Sequence, residues 1–452
     1  MLLCSAPLRV DAGEHSSKEA RSAPAWLRQS IVYEIFPRQF SATGDFNGIT
    51  ARLDELKDLG VNVLWLMPTH PTGEKLKKGT IGSPYAVRDY EAINPDYGTA
   101  HDFKRLVKEA HQRGLKVIID LVANHTSWDS VLMRHPEFYK KDANGKIISP
   151  DPGWADVAGL NYDNRELRRY MIRMLKMWVT DFGVDGFRCD VAGMVPTDFW
   201  EEARAELEKA NPEILMLAEA SKPELLLKAF DFDYAWPFHS TLNRVLLEGA
   251  PASDMRKSWE ATRAEFPRGS IHMRISDNHD EARAVARFGI RGALAAQVLM
   301  LTLDGVPLFY NGMEVGDATE SGAPALFEKL PVYWEPKERP PLRDIYRELI
   351  SLRKKHPALY RGKVVWLHNS NEADVITFLR RDDREEFLVV INFSNRPVSA
   401  NVEHRGTYEL VNIAGVNNST PTTLANPPQM SLTGYEWRIY RRPWVVRVDT
   451  FR

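Results

Sequence analysis

Residues 167–190 read LRRYMIRMLKMWVTDFGVDGFRCD, and this stretch decides the fold. Leu167, Met171, Met174 and Trp178 recur at the spacing of one helical face. Gly183 then stops the helix, and the run 184–190 reads as a buried strand. The same rhythm recurs on both sides. Ile49, Leu53, Leu56 and Leu59 lead to Gly60 and a strand at 61–67. Thr99 can cap a helix carrying Phe103, Leu106, Val107 and Ala110, followed by Gly114 and a strand at 115–122. Phe199, Ala203 and Leu207 precede a strand at 213–219, and further strands are expected at 31–37, 230–234, 271–276 and 306–310. Helices alternating with buried strands indicate parallel βα units. Eight units over roughly 330 residues fit an α/β fold of the (β/α)₈ TIM-barrel type. A doubly wound sheet is the alternative, but no glycine-rich phosphate loop follows any strand.

After about residue 360 the helical period fades. Short strands are expected at 363–368, 374–380, 386–393, 408–411 and 437–440, with turns at Asn369-Ser-Asn-Glu and Asp382-Asp-Arg-Glu. The expected organisation is therefore a catalytic barrel over 25–361 and a C-terminal antiparallel β-sandwich domain over 362–452. A short subdomain is expected within the third βα loop, at about 125–160. Residues 1–24 are expected to lie outside the fold, as a flexible leader or the remnant of a signal peptide. In the second case the protein is secreted or periplasmic, otherwise cytoplasmic.

The chain has 452 residues, 44% hydrophobic and 27% charged, the balance of a globular protein with a large core. A net charge of -2 gives no electrostatic reason to bind nucleic acid or an anionic membrane. No continuous apolar run reaches the ~18–20 residues of a membrane span. Two cysteines, Cys4 and Cys189, give neither a disulfide framework nor metal-ligand spacing.

Catalytic residues of such a barrel sit where strands end on its C-terminal rim. Four strand ends are unusually polar: Asp120-Leu-Val-Ala-Asn-His-Thr126, Gly186-Phe-Arg-Cys-Asp-Val191, Leu215-Met-Leu-Ala-Glu-Ala220 and Ile275-Ser-Asp-Asn-His-Asp280. A single acidic strand end is commonly a helix cap. Four on one rim fit glycoside cleavage, which needs one ionised and one protonated carboxyl. Arg188 and Asp190 are two apart on a strand and so share a face, where the arginine favours an ionised aspartate. Glu219 follows the apolar run 214–218, and partial burial there would hold its proton for the leaving group. Asp280, His125 and His279 are placed to bind sugar hydroxyls.

These four segments, in this order, resemble the four motif regions of the α-amylase superfamily, glycoside hydrolase family 13. Three further segments are similar to that family's supporting motifs: Gly82-Ser-Pro-Tyr-Ala-Val-Arg-Asp-Tyr90, Leu160-Asn-Tyr-Asp-Asn164 and residues 305–316. The resemblance covers roughly residues 30–450. It implies Asp190 as nucleophile, Glu219 as acid/base and Asp280 as the transition-state aspartate. It also implies Tyr85 as the residue stacking on the sugar, with Arg188, His125 and His279 beside it. The implied substrate is starch, maltodextrin or a related α-glucan, cleaved with retention through a covalent glycosyl-enzyme.

Departures from the family pattern are local. Asn124 matches a position that often ligates calcium, but Val191-Ala-Gly-Met194 lacks the Lys-His pair of calcium-binding relatives. No cofactor is expected to be required, and no calcium site of the usual kind is expected. Cys189 should point away from the pocket. Trp128, Trp154 and Trp236 are candidates for stacking on sugars or for ordinary packing. Glu314 and Asp317 read as structural. Two other functions fit less well: a transglycosylase or glucan isomerase, which shares the same triad, and a binding protein without catalysis, which would be expected to lose it. A monomer is the default expectation.

Overall fold

The computed structural model describes residues 13–322, 325–334, 342–413, 416, 423–425 and 429–444. Eight parallel strands close a barrel: β1 (Val32–Ile35), β2 (Val63–Leu66), β3 (Lys116–Leu121), β4 (Gly186–Cys189), β5 (Leu215–Ala218), β6 (Phe232–Tyr234), β7 (His272–Arg274) and β8 (Val306–Tyr310). The ring closes where Val32 of β1 lies opposite Leu308 of β8. All eight expected strands are present. Most are shorter than their apolar runs, because ladder pairing ends before burial does.

Strand alternation sorts the side chains into two layers. Val32, Val63, Trp65, Ile118, Leu217, Phe232, Met273 and Leu308 fill the barrel interior. Tyr33, Ile35, Leu64, Leu66, Phe187 and Cys189 face the surrounding helices. Cys189 therefore points away from the interior, as its place on the strand required. At Gly186 a Cβ would meet the Leu215 carbonyl oxygen at 2.0 Å, so β4 and β5 approach closely only because no side chain stands there.

The helices form for the local reasons legible in their sequences. In α1 (Ala100–Gln112), Thr99 and Asp102 make a reciprocal capping box. In α2 (Arg165–Thr180), the Asn164 side chain accepts from the N–H groups of Glu166 and Leu167, and Leu167, Met171, Met174 and Trp178 are buried. In α3 (Ala284–Thr302), length and composition alone would allow a membrane span. Arg287 and Arg291 interrupt it, Gly289 kinks it, and its second half packs into the barrel core. The third βα loop is held by a small antiparallel ribbon, His125–Ser127 against Val157–Gly159.

The C-terminal domain is a six-stranded sheet with a two-stranded ribbon beside it. Its strands are β9 (Lys363–Trp366), β10 (Val375–Arg381), β11 (Glu385–Asn392), β12 (Val398–Asn401), β13 (Thr407–Leu410), β14 (Thr423–Ala425), β15 (Gln429–Leu432) and β16 (Trp437–Pro443). The sheet runs β9-β10-β11-β16-β13-β14, and β12 pairs with β15. Strands β12, β14 and β15 were not expected. β12 and β15 are short and bury only Ala400, Met430 and Leu432, too few apolar residues to show a period. One buried arginine stitches this domain to the barrel, and a second ties together barrel segments at the same junction. Arg380 of β10 donates to the carbonyls of Thr302 (2.7 Å) and Gly362 (3.0 Å). Arg353 donates to those of Leu301, Leu303, Leu359 and Gly305, at 2.6–2.9 Å.

The expected leader needs correction over residues 13–24; residues 1–12 lie outside the described residues. The Ala20 N–H donates to the Arg268 carbonyl (2.8 Å) and the Arg21 N–H to that of Leu226 (2.9 Å). The Arg21 side chain pairs with Glu208 and with the buried carboxylate of Asp231. This segment straps the barrel beneath β6 and β7. Its polar composition hid the contact, because the strap binds through its backbone and one arginine rather than through apolar side chains.

Candidate active site

The residues singled out on the strand ends converge. Asp120 stands opposite Arg188 in the β3–β4 register. Arg188 is fully buried and becomes the hub of the site. Its Nη1 donates to Asp120 Oδ1 at 2.9 Å and to Asp190 Oδ1 at 3.0 Å. Its Nη2 lies 2.9 Å from Glu219 Oε2, off the hydrogen-bond direction. The Asp190 N–H donates to the Leu121 carbonyl and the Glu219 N–H to that of Cys189, so both carboxylates leave their strands at the same level. Val191, next to Asp190, has φ 37°, a left-handed conformation that is costly for a β-branched residue. Its N–H donates to Glu219 Oε2 at 2.7 Å, which is what that conformation accomplishes.

Burial first and repulsion from Glu219 second push the Asp190 carboxyl well above the ordinary carboxylate range, while Arg188 works the other way. The expectation from sequence counted only the arginine. Asp120 is pushed up to about 6 by burial, against the pull of Arg188.

His279 joins the other side of the site. Its Nδ1 contacts Glu34 Oε1 and its Nε2 lies 2.7 Å from the Tyr85 hydroxyl and 3.3 Å from Asp280 Oδ1. Burial opposes the imidazolium, but Asp280 and Glu34 outweigh it and raise His279 to about 9. Tyr85 also donates to Asp120 Oδ2 at 3.1 Å. A continuous polar chain therefore runs from Glu34 through His279, Tyr85 and Asp120 to Arg188. Glu34 and the structural role of Asp120 were missed from sequence. Glu34 sits in the otherwise apolar run 31–36, and the available signal was a charged residue at an inward-facing strand position. His125 is lowered to about 4 by burial and is neutral, its ring 5.6 Å from that of Trp154.

Tyr85, His125, Asp190, Glu219, His279 and Asp280 line one cavity of about 280 Å³, together with Lys78, Trp154, Asp156 and Phe327. Of the three tryptophans considered from sequence, Trp154 lines this cavity. Trp128 donates to the Ala155 carbonyl (2.9 Å) behind it. Trp236 lines an adjoining groove of about 500 Å³ with Met194, Ser221, Lys222 and Glu219.

Around Asn124, the position expected from related calcium sites, the neighbours include His125 and Met194. The Asn124 amide nitrogen points to His125 Nδ1 (3.4 Å) and Met194 Sδ (4.0 Å). The exposed Lys222 ammonium donates to the Gly193 carbonyl at 2.6 Å. Among the described residues no three His, Cys, Asp or Glu side chains converge as a metal site.

The sequence pattern of the α-amylase catalytic domain matches residues 34–144 and 153–323. The chain belongs to the α-amylase family. The C-terminal domain of this α-amylase family member, over residues 364–439, matches the C-terminal domain of maltogenic amylase. Among curated relatives, it is 30% identical to alpha-amylase 2 of Dictyoglomus thermophilum, over 85% of this chain and 73% of the relative. It is 28% identical to a cyclomaltodextrinase of a Bacillus species, over 82% of this chain and 73% of the relative. Among solved structures, it is similar to a maltogenic alpha-amylase of Thermotoga neapolitana, with TM-score 0.85 and 31% identity. That match covers 92% of this chain and 99% of the other. The protein is thus a glycoside hydrolase of the α-amylase type, with relatives named for action on α-glucans.

Proposed function

We propose that the protein cleaves α-1,4-glucosidic bonds in starch, maltodextrin or related α-glucans with retention of configuration, through a covalent glycosyl-enzyme at Asp190. The observation that carries this reading is the single Arg188 guanidinium touching both Asp190 and Glu219. One guanidinium within 3.0 Å of both carboxylates gathers the candidate nucleophile and acid/base at a single point of the rim, which supports the retaining roles that the family resemblance implies. Asp190 acts in its carboxylate form, which Arg188 favours against burial, and attacks the anomeric carbon while Glu219 gives its proton to the departing glycosidic oxygen. Glu219 then removes a proton from water, and that water displaces Asp190 from the sugar. Cationic His279 and the carboxylate of Asp280 hold the sugar hydroxyls, and Tyr85 offers its ring face. Proton NMR of the first sugars released from maltotriose tests this. The α-anomer is expected first; the β-anomer first would overturn retention. Products longer than the substrate would favour a transglycosylase, a reading supported by the Trp236 groove, which can seat a sugar acceptor.

The enzyme requires no calcium in this reading, since residues 191–194 lack the Lys-His pair of calcium-binding relatives. Treatment with a chelator is expected to leave activity and Tm unchanged. A loss reversed by added calcium would show the reading to be wrong.

A further inference from the structure

Glu219 divides the cleft into two unequal sides. The groove with Met194, Ser221, Lys222 and Trp236 contains the acid but neither Asp190 nor His279. An acid that protonates the leaving-group oxygen faces the leaving group, so this groove is the leaving-group side. The cavity with Tyr85, Asp190, His279 and Asp280 takes the glycosyl unit, whose far end is the non-reducing end of the chain.

The second βα loop bridges the wall of that glycosyl side. The Ile81 N–H donates to the Phe327 carbonyl at 3.0 Å, and the Thr80 N–H to Glu328 Oε1 at 2.8 Å, tying it to the eighth loop. The Lys78 ammonium reaches the third loop, 3.0 Å from both Asp156 Oδ1 and the Gly153 carbonyl. Gly79 sits at φ 63° where a Cβ would lie 2.4 Å from the Phe327 Cβ, so loop and wall are in close contact. Asp156 is 5% exposed at its side chain and Lys78 35%, so the pair is partly withdrawn from solvent. Three loops are thereby joined along one wall of the cavity.

We propose that residues 78–81, fastened by the Lys78–Asp156 pair, close the glycosyl side and make the enzyme act on chain ends, releasing short units from the non-reducing end of α-glucans. This rests on the hydrolase reading above. The pair is a specificity-determining contact: it sets how many sugar units fit behind the cleavage point, and it takes no part in bond breaking.

The test compares wild type, Lys78→Ala and Asp156→Asn on amylose and on maltoheptaose labelled at its reducing end. Wild type is expected to release one short maltooligosaccharide from the outset, to leave the label on the long remainder, and to lower iodine staining slowly for each bond cut. Either substitution is expected to lengthen the first products and to speed the loss of iodine staining several-fold per bond cut. A thermal melt on each variant, one from each loop, confirms that it is folded. Mid-chain cutting by wild type from the first minutes, or folded variants with unchanged products, would overturn the barrier while leaving the hydrolase intact. No cleavage of either substrate by wild type would overturn the hydrolase reading, and the barrier with it.

Discussion

The Asp190→Asn variant is expected to lose activity by roughly 10⁴-fold or more, since in the proposed mechanism the reaction loses its nucleophile. The same substitution is expected to raise Tm at neutral pH. Asp190 holds its proton well above the ordinary carboxylate range in the folded protein. A carboxyl raised in this way favours the folded state while it is protonated. That contribution is lost as pH rises from the unfolded value through the folded one. The amide cannot ionise and does not incur that loss. Glu219→Gln provides the contrast. On substrates with ordinary leaving groups it should lose about 10²–10⁴-fold, the range of general acid catalysis. On an α-maltosyl fluoride, whose leaving group needs no proton, formation of the glycosyl-enzyme should recover. Recovery in the Asp190 variant, or none in the Glu219 variant, would reverse the two roles.

The second large effect is expected at Arg188. Replacing it with Met leaves Asp120, Asp190 and Glu219 without the cation they share. Breaking a buried ion pair from one side costs about 3–5 kcal/mol, so Arg188→Met should be markedly destabilised as well as inactive. The loss should depend on pH in one direction. Arg188 lowers the raised values of Asp120 and Asp190, so without it both rise further. Their charge then weakens the fold above the unfolded carboxyl range of about 4 and does so less as pH falls toward it. Melting curves at pH 5 and pH 8 should show the gap from wild type narrowing at the lower pH. A gap of constant size would mean that the arginine acts by packing alone.

The barrel could be read from the sequence because its signal is repeated. One helical period, one glycine stop and one apolar run recur along the chain, and a strand hidden in one unit is implied by the next. The candidate site was legible for the same reason, as polar residues interrupting apolar runs at one rim, and Asp190, Glu219 and Asp280 do line one cavity. What escaped was whatever depends on contacts between distant segments. Glu34 has no local mark of function, and its role comes from His279, far along the chain on the opposite side of the closing seam between β1 and β8. Lys78 reads as one of several lysines in a loop until the fold brings Asp156 to it. The strap at Gly13–Pro24 looked like a leader because polar composition reports the absence of an apolar face and says nothing of hydrogen bonds. The proton balance of Asp190 depended on burial, which a strand pattern shows only as a direction of facing.

Arg380 gives the two domains a common fate. From the sheet, its guanidinium donates to the Thr302 carbonyl at the close of α3 and to that of Gly362, beside Arg353, which holds the Leu301, Leu303 and Gly305 carbonyls within the barrel. Peeling the sheet away would strip the Thr302 carbonyl of its Arg380 donor and open the apolar seam at Phe378, Phe387 and Val389. The chain should therefore melt in a single calorimetric transition, and the C-terminal sheet is better regarded as a piece of the barrel's outer wall than as a module that could be exchanged or removed.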